Sequence, residues 1–193
     1  MTVDALDAIF RRRSIGRLGL PAPTDGDLRT ILRAAAAAPD HLELRPLRIV
    51  VLSGDAKGRF GAVLADAYEA RCAAEQTAVV DAKLEKERTK LGRAPVVLVF
   101  AATDTTEGRI PFAEQEASVA ATAQNALLAA TALGYGAMWR TGEPAYDPMV
   151  KKALGLDEAD SVMGFLYLGT IPPERDLPAR DPDLDGIVST WTP

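Results

Sequence analysis

The spacing of apolar positions divides the chain into alternating helical and extended segments. Val3, Leu6, Ile9 and Phe10 fall on one helical face, with Thr2 placed to cap the helix that carries them. Thr24, followed three residues on by Asp27, reads as a capping box, and Leu28, Ile31 and Leu32 carry a second helix into an alanine run that stops at Pro39. Arg48 to Ser53 (RIVVLS) is short, β-branched and bounded by turn residues, so it predicts a strand. A helix follows from about Asp55, and residues 75–91 (EQTAVVDAKLEKERTKL) predict another with a solvated face. Pro95 to Ala101 (PVVLVFA) is almost continuously apolar, the pattern of a strand covered on both faces.

After the loop TDTTEGRIP comes a run from Ala117 to Trp139 without a single charge. Of the 17 residues from Ala117 to Leu133, 12 are apolar, and the polar five do not form one clean stripe. A helix apolar nearly all round must be covered all round. A chain of this size has little cover to spare, so we expect a dimer whose core includes this helix. Its alanine-rich composition and its Ser, Thr, Gln and Asn residues argue against a membrane span. Gly134 and Gly136 break the helix, and Ala137 to Thr141 predict a strand or strand edge. Asp147 with Pro148 opens a short helix closed by Gly155, and Ser161 to Gly169 (SVMGFLYLG) is the last clear strand. This mixed order means α/β or α+β. Nothing divides the chain before a proline-rich tail near Ile171, so residues 1–170 are expected to form one domain and 171–193 its C-terminal extension.

Composition narrows the function. With 22 Lys+Arg against 27 Asp+Glu the net charge is −5, which disfavours binding nucleic acid or an anionic membrane through bulk charge. Any anion must meet a local patch. One cysteine, Cys72, excludes an intramolecular disulfide framework, and one histidine, His41, excludes a multi-His metal site within one chain. The segment MTVDALDAIFRRRS has acids near its start and its basic run after the apolar positions, unlike a secretory signal, so a cytoplasmic location is expected.

The chain carries no GxxxxGK[ST] phosphate loop, GxGxxG fingerprint, GxSxG elbow or HExxH metal motif. Three polar clusters remain. Arg11, Arg12, Arg13 and Ser14, with Arg17 behind them, suit both a helix C-terminus and a phosphate clamp of guanidinium forks and a hydroxyl. Asp40 and His41, with Arg45 and Pro46, lack an accompanying nucleophile, so a hydrolytic dyad is disfavoured. Trp139, Arg140, Thr141 and Gly142 suit either a strand edge or a flat electron-accepting heteroaromatic ring.

Taken in order, Arg12-Arg13-Ser14, the ILRAAAAAPDH segment from Ile31 to His41, Glu114-Gln115-Glu116, Trp139-Arg140-Thr141-Gly142 and Gly164 to Thr170 (GFLYLGT) resemble the compact members of the nitroreductase family. The resemblance covers the chain from about Ala5 to Thr170. It implies an α+β fold around a mixed, mainly antiparallel sheet flanked by helices, and an interlocked homodimer with FMN at the subunit interface. By the family pattern Arg12, Arg13 and Ser14 hold the phosphate and ribityl end, with Ala37 at a further cofactor position. His41 reaches the flavin of the other subunit, and Trp139, Arg140 and Thr141 line the ring edge. Ala129, Ala130, Thr131, Ala132, Leu133 and Gly134 match a stretch associated with nicotinamide binding. The implied reaction passes hydride from NADH or NADPH through flavin N5 to a nitroaromatic, quinone or related acceptor, with no catalytic side chain and no metal.

The chain departs from the family pattern at Ala37, where close relatives carry an arginine, and at Leu47, where many carry a tryptophan. A lost charged contact is worth about 1.5–3 kcal/mol, or roughly tenfold to a hundredfold in flavin affinity. These departures also suit two other functions of the scaffold: a non-catalytic flavin or nucleotide binder, and a flavin-dependent dehydrogenase of a metabolite.

Overall fold

The computed structural model describes residues 4–105, 109–173 and 178–192. Four strands, β1 (Leu47–Ser53), β2 (Val96–Ala102), β3 (Tyr135–Arg140) and β4 (Ser161–Thr170), form a sheet in the order β1-β2-β4-β3. Every neighbouring pair is antiparallel. A parallel bridge between Ser14 and Ala137 adds the mixed element on the outer edge of β3. All seven residues of β2 are buried, as its continuous apolar run predicts for an inner strand.

Alternating side chains divide the core between the two faces of the sheet. On one face, α2 (Asp25–Ala36) and α5 (Phe112–Ala132) pack on Leu98, Phe100, Leu166 and Leu168. On the other, α3 (Asp55–Ala74) and α7 (Pro148–Ala153) cover Val97, Val99, Phe165 and Tyr167. The shorter α1 (Ala5–Arg11), α4 (Asp81–Thr89) and α6 (Glu143–Tyr146) lie around this frame. Among the described residues no helix is long and apolar enough to cross a membrane, and no group of three or more His, Cys, Asp or Glu could hold a metal. Cys72 is a buried free thiol.

The capping box is present: the Asp27 amide donates to Thr24 Oγ1 at 3.1 Å, and Thr24 Oγ1 donates to Asp27 Oδ2 at 2.7 Å. Asp147 caps α7 through the amides of Met149 and Val150. Other expectations need correction. The first helix starts at Ala5 with Asp4 as its cap; Thr2 and Val3 lie outside the described residues. The helix expected over 75–91 begins only at Asp81. Gln76 turns back with φ +54, the Thr77 amide bonds to Cys72 O, and the Val80 amide donates to the Tyr68 hydroxyl, so this stretch closes α3 instead. The chain after α4 tightens into a 3₁₀ turn, Lys90–Arg93. Gly136 belongs to β3 rather than to the break before it. A Cβ there would stand 2.4 Å from Leu18 Cδ2 and 2.9 Å from Ile171 Cγ1, so a larger residue would push the side chains of Leu18 and Ile171 off the strand.

Candidate functional site

The basic cluster stands where α1 ends. Arg12 is the C-cap; beyond it Ser14 bridges to Ala137, and the Ile15 amide donates to Ala137 O at 3.1 Å. The first cluster is thus fixed beside the outer edge of β3. Its members divide the work. The Arg13 guanidinium donates to Phe10 O at 2.8 Å, to Arg12 O at 2.9 Å, and to Pro178 O. It therefore ties the helix end to the tail. Arg12 is half-buried and has no carboxylate at ion-pair distance among the described residues. Burial first, then the charges of Arg180 and Arg13, hold its pKa below the ordinary value. Arg180 arrives because its amide bonds to Phe10 O at 2.8 Å. No sequence motif points to it; only the tail's return to α1 places it here. Ser14 is exposed.

The stretch 129–134 is the end of α5 and the turn after it. Ala130 is fully buried, Thr131 Oγ1 donates to Leu127 O, and Gly134 has φ +84. Thr131 lines a cavity of about 240 Å³ together with Arg11, Arg13 and Tyr135, so this stretch borders the basic cluster.

At the far end of β3 the strand's alternation separates Trp139 from Arg140. The Trp139 indole packs with the α5 core and donates to Met163 O at 2.9 Å. Gly164 (φ +143) makes room for it, because a Cβ there would lie 2.2 Å from Trp139 Nε1. Arg140 and Thr141 instead open on a cleft of about 340 Å³ whose other walls include Lys86, Lys90 and Arg93, from α4 and the 3₁₀ turn, and Tyr167 of β4. A second cleft of about 560 Å³ continues past Lys86, Lys90 and Arg93 to Arg17. Burial lowers the Lys90 pKa, with Glu87 pulling the other way. Burial raises the Tyr167 pKa, opposed by the charges of Arg140 and Arg93. These α4 and β4 residues were not foreseen, because α4 reads in sequence as a solvated charge run.

Ala37 and His41 belong to a third region, between α2 and β1. Ala37 is the exposed C-cap of α2. His41 Nδ1 lies 2.9 Å from Glu114 Oε2, and both side chains are about half-exposed. Leu42, Glu43 and Arg45 all have φ between +53° and +56°, a left-handed run that non-glycine residues adopt only when the surroundings hold them. The Arg45 amide donates to the Asp40 carboxylate, and Thr105 and Thr103 donate to Leu44 O and Pro46 O; α5 braces the approach to this stretch, where Ser118 Oγ donates to Pro39 O at 2.8 Å and Asn125 Nδ2 to Ala34 O of α2 at 3.3 Å. With Glu114 these residues share one side of α5, so part of the scattered polarity of that helix is a clamp on the loop.

This combination, an antiparallel α+β sheet with a basic helix end against one edge strand and a cationic cleft at that strand's far end, defines the class. The family model "Nitroreductase family" matches residues 9–170, and the chain belongs to that family. The chain is 38% identical over 191 residues to "Putative NAD(P)H nitroreductase YdjA" of Escherichia coli (strain K12), covering 97% of this chain and 99% of that one. Among solved structures, a nitroreductase-like family protein from Bacillus cereus superposes with a TM-score of 0.79 at 21% identity, covering 99% and 97% of the two chains. A "putative nitroreductase in complex with fmn" from Desulfovibrio desulfuricans does so with a TM-score of 0.73 at 26% identity over the whole of both chains.

Proposed function

We propose that this protein is an FMN-dependent oxidoreductase that takes hydride from NADH or NADPH and delivers it to nitroaromatic, quinone or related acceptors. The observation that carries this is Arg12, a half-buried cation without a carboxylate, standing with Arg180 beside an edge strand that leads to Arg140 and Thr141. Ser14 bridges at Ala137, and three to four residues of extended chain, roughly 10–13 Å, separate it from Arg140 and Thr141. A ribityl chain between phosphate and ring suits that interval.

Arg12, Ser14 and Arg180 would grip the phosphate, with Arg13 holding the helix end and tail in place. Beyond Ala137 the outer edge of β3 makes no further bridge among the described residues, so backbone groups of Trp139, Arg140 and Thr141 would meet the ring's heteroatoms. FMN, when bound, supplies the two-electron chemistry, and the chain orients it and tunes its electrostatics. Arg140 lies where it would stabilise negative charge on a reduced ring. Residues 129–134 border the basic cluster and are the nicotinamide-binding candidates; Ala37 and His41 would serve the flavin of a second subunit.

A homodimer is supported by apolar surface that one chain leaves open. Leu6, Ile9 and Phe10 of α1 are 60%, 46% and 41% exposed, and Ala113, Ala117, Ala120 and Leu128 leave a strip of α5 incompletely covered. The buried reduced cysteine and the acidic net charge support a cytoplasmic enzyme that does not bind nucleic acid or membranes. Residues 1–170 form the catalytic domain in this account, and the tail belongs to it through Arg180.

The test is reconstitution. Protein purified with added FMN should be yellow, melt at a higher temperature than without FMN, and bleach anaerobically with NADH or NADPH. A colourless protein without a thermal shift overturns the proposal. Tight FMN binding without reduction by either nucleotide would overturn the nicotinamide half-reaction and leave the non-catalytic binder and the metabolite dehydrogenase.

A further inference from the structure

The cleft beneath α4 places beside Arg140 two groups, Arg93 and Tyr167, that the flavin does not account for. Tyr167 is only 4% exposed, yet its hydroxyl makes no hydrogen bond among the described residues. No buried side-chain polar atom lacks a partner there, so this oxygen opens on the cleft. Arg93 and Arg140 face it, both half-buried, both without a carboxylate at ion-pair distance, and both acting electrostatically on the phenol. Three neighbouring cations are neutralised by acids that include Glu87 and Glu143 of the cleft wall, while Lys86 on that wall is exposed and has no carboxylate at ion-pair distance among the described residues. Lys83 lies 3.3 Å from Glu143, Lys90 pairs with Glu87, and Arg71 pairs with Asp147 and Glu143. Two half-buried guanidiniums left unpaired in an acidic chain are costly unless an anion completes them.

We propose that Arg93, Arg140 and the Tyr167 hydroxyl form a carboxylate-binding subsite for the electron acceptor, which is therefore a planar reducible molecule bearing a carboxylate. Two guanidinium forks and a phenolic O–H match the donor needs of one carboxylate. The cleft, at about 340 Å³, suits a single-ring molecule rather than a dinucleotide. That the ligand is an electron acceptor rests on the flavin function proposed above; the carboxylate subsite itself does not.

Calorimetric titration of the oxidised, FMN-loaded protein with 4-nitrobenzoate and its neutral counterpart 4-nitrobenzamide tests this directly. The carboxylate should bind about tenfold tighter or more, and its affinity should fall with added salt. Arg93→Met should abolish the preference, and Tyr167→Phe should reduce it severalfold. Equal binding, no binding of either compound, or a preference unchanged in both variants overturns the subsite. Anaerobic bleaching by NADH or NADPH reads the flavin function separately. A preference that persists in protein that does not bleach overturns only that function; bleaching without a preference overturns only the subsite.

Discussion

The two faces of the sheet are built from different materials. On the α5 face the helices meet the strands through residues of almost no exposure, and polar groups that enter are paired: Gln115, 1% exposed, donates to Asp104 at 3.1 Å, and Ser118 and Asn125 donate to Pro39 O and to Ala34 O of α2. On the other face α3 and α7 cover the middle of the sheet, but beside them α4 buries a single side chain, Glu87, and cations outnumber carboxylates along the open clefts beneath it. The first face is a scaffold whose polar groups serve geometry. The second keeps unsatisfied charge where a ligand can reach it, and the edge strand β3 joins the two, sending Trp139 to one and Arg140 to the other.

The largest effect should come from damaging that junction. Gly164→Ala would place a Cβ 2.2 Å from Trp139 Nε1 and 2.7 Å from Arg140 O at φ +143, costing about 3 kcal/mol or more. Denaturant unfolding should show it, and a variant as stable as wild type would break the division of the faces. Arg12→Ala should lower FMN affinity about tenfold to a hundredfold while unfolding stability stays within about 0.5 kcal/mol. Arg180→Ala should act in the same direction but less strongly, because its backbone amide still anchors the tail; FMN titration checks both.

A smaller effect belongs to the α2 cap. Thr24→Ala should cost about 1 kcal/mol and lower the melting temperature by about 2–4 °C. Hydrogen bonds from Thr24 and from Tyr135, at 2.8 Å, hold the Asp27 carboxyl below its ordinary 3.8. A depressed carboxyl stabilises the fold fully above that ordinary value and loses the contribution as pH falls through its folded value. The melting temperatures of wild type and Asp27→Asn should therefore differ near neutrality and converge in acid. Glu114→Ala should also change stability little, by about 0–1 kcal/mol for a half-exposed pair. If Glu114 orients His41 toward the flavin, that variant should still weaken FMN binding, and Glu114→Gln should restore part of it.

Much of this was legible in the chain. The capping box at Thr24, the doubly covered strand at Val96–Ala102 and the opening of α7 at Asp147 depend on local chemistry, and they form where the residues indicate. The basic helix end was legible too, but not how its members divide: Arg13 is occupied by carbonyls and Arg12 is left open through contacts with Pro178 and Arg180, which only the folded tail provides. Tyr167 looks like any core tyrosine in the run GFLYLGT, because its opening depends on how α4 sits above it. The start of α4 was misplaced because Tyr68 and Cys72, both on α3, capture the preceding backbone.

The most direct test is a crystal structure of the protein soaked with FMN. Phosphate oxygens should lie on Arg12, Ser14 and Arg180, the ring against the backbone of Trp139 to Thr141, and His41 should reach it from a second subunit. A flavin whose phosphate lies away from Arg12, or whose ring does not touch the β3 edge, would contradict this placement.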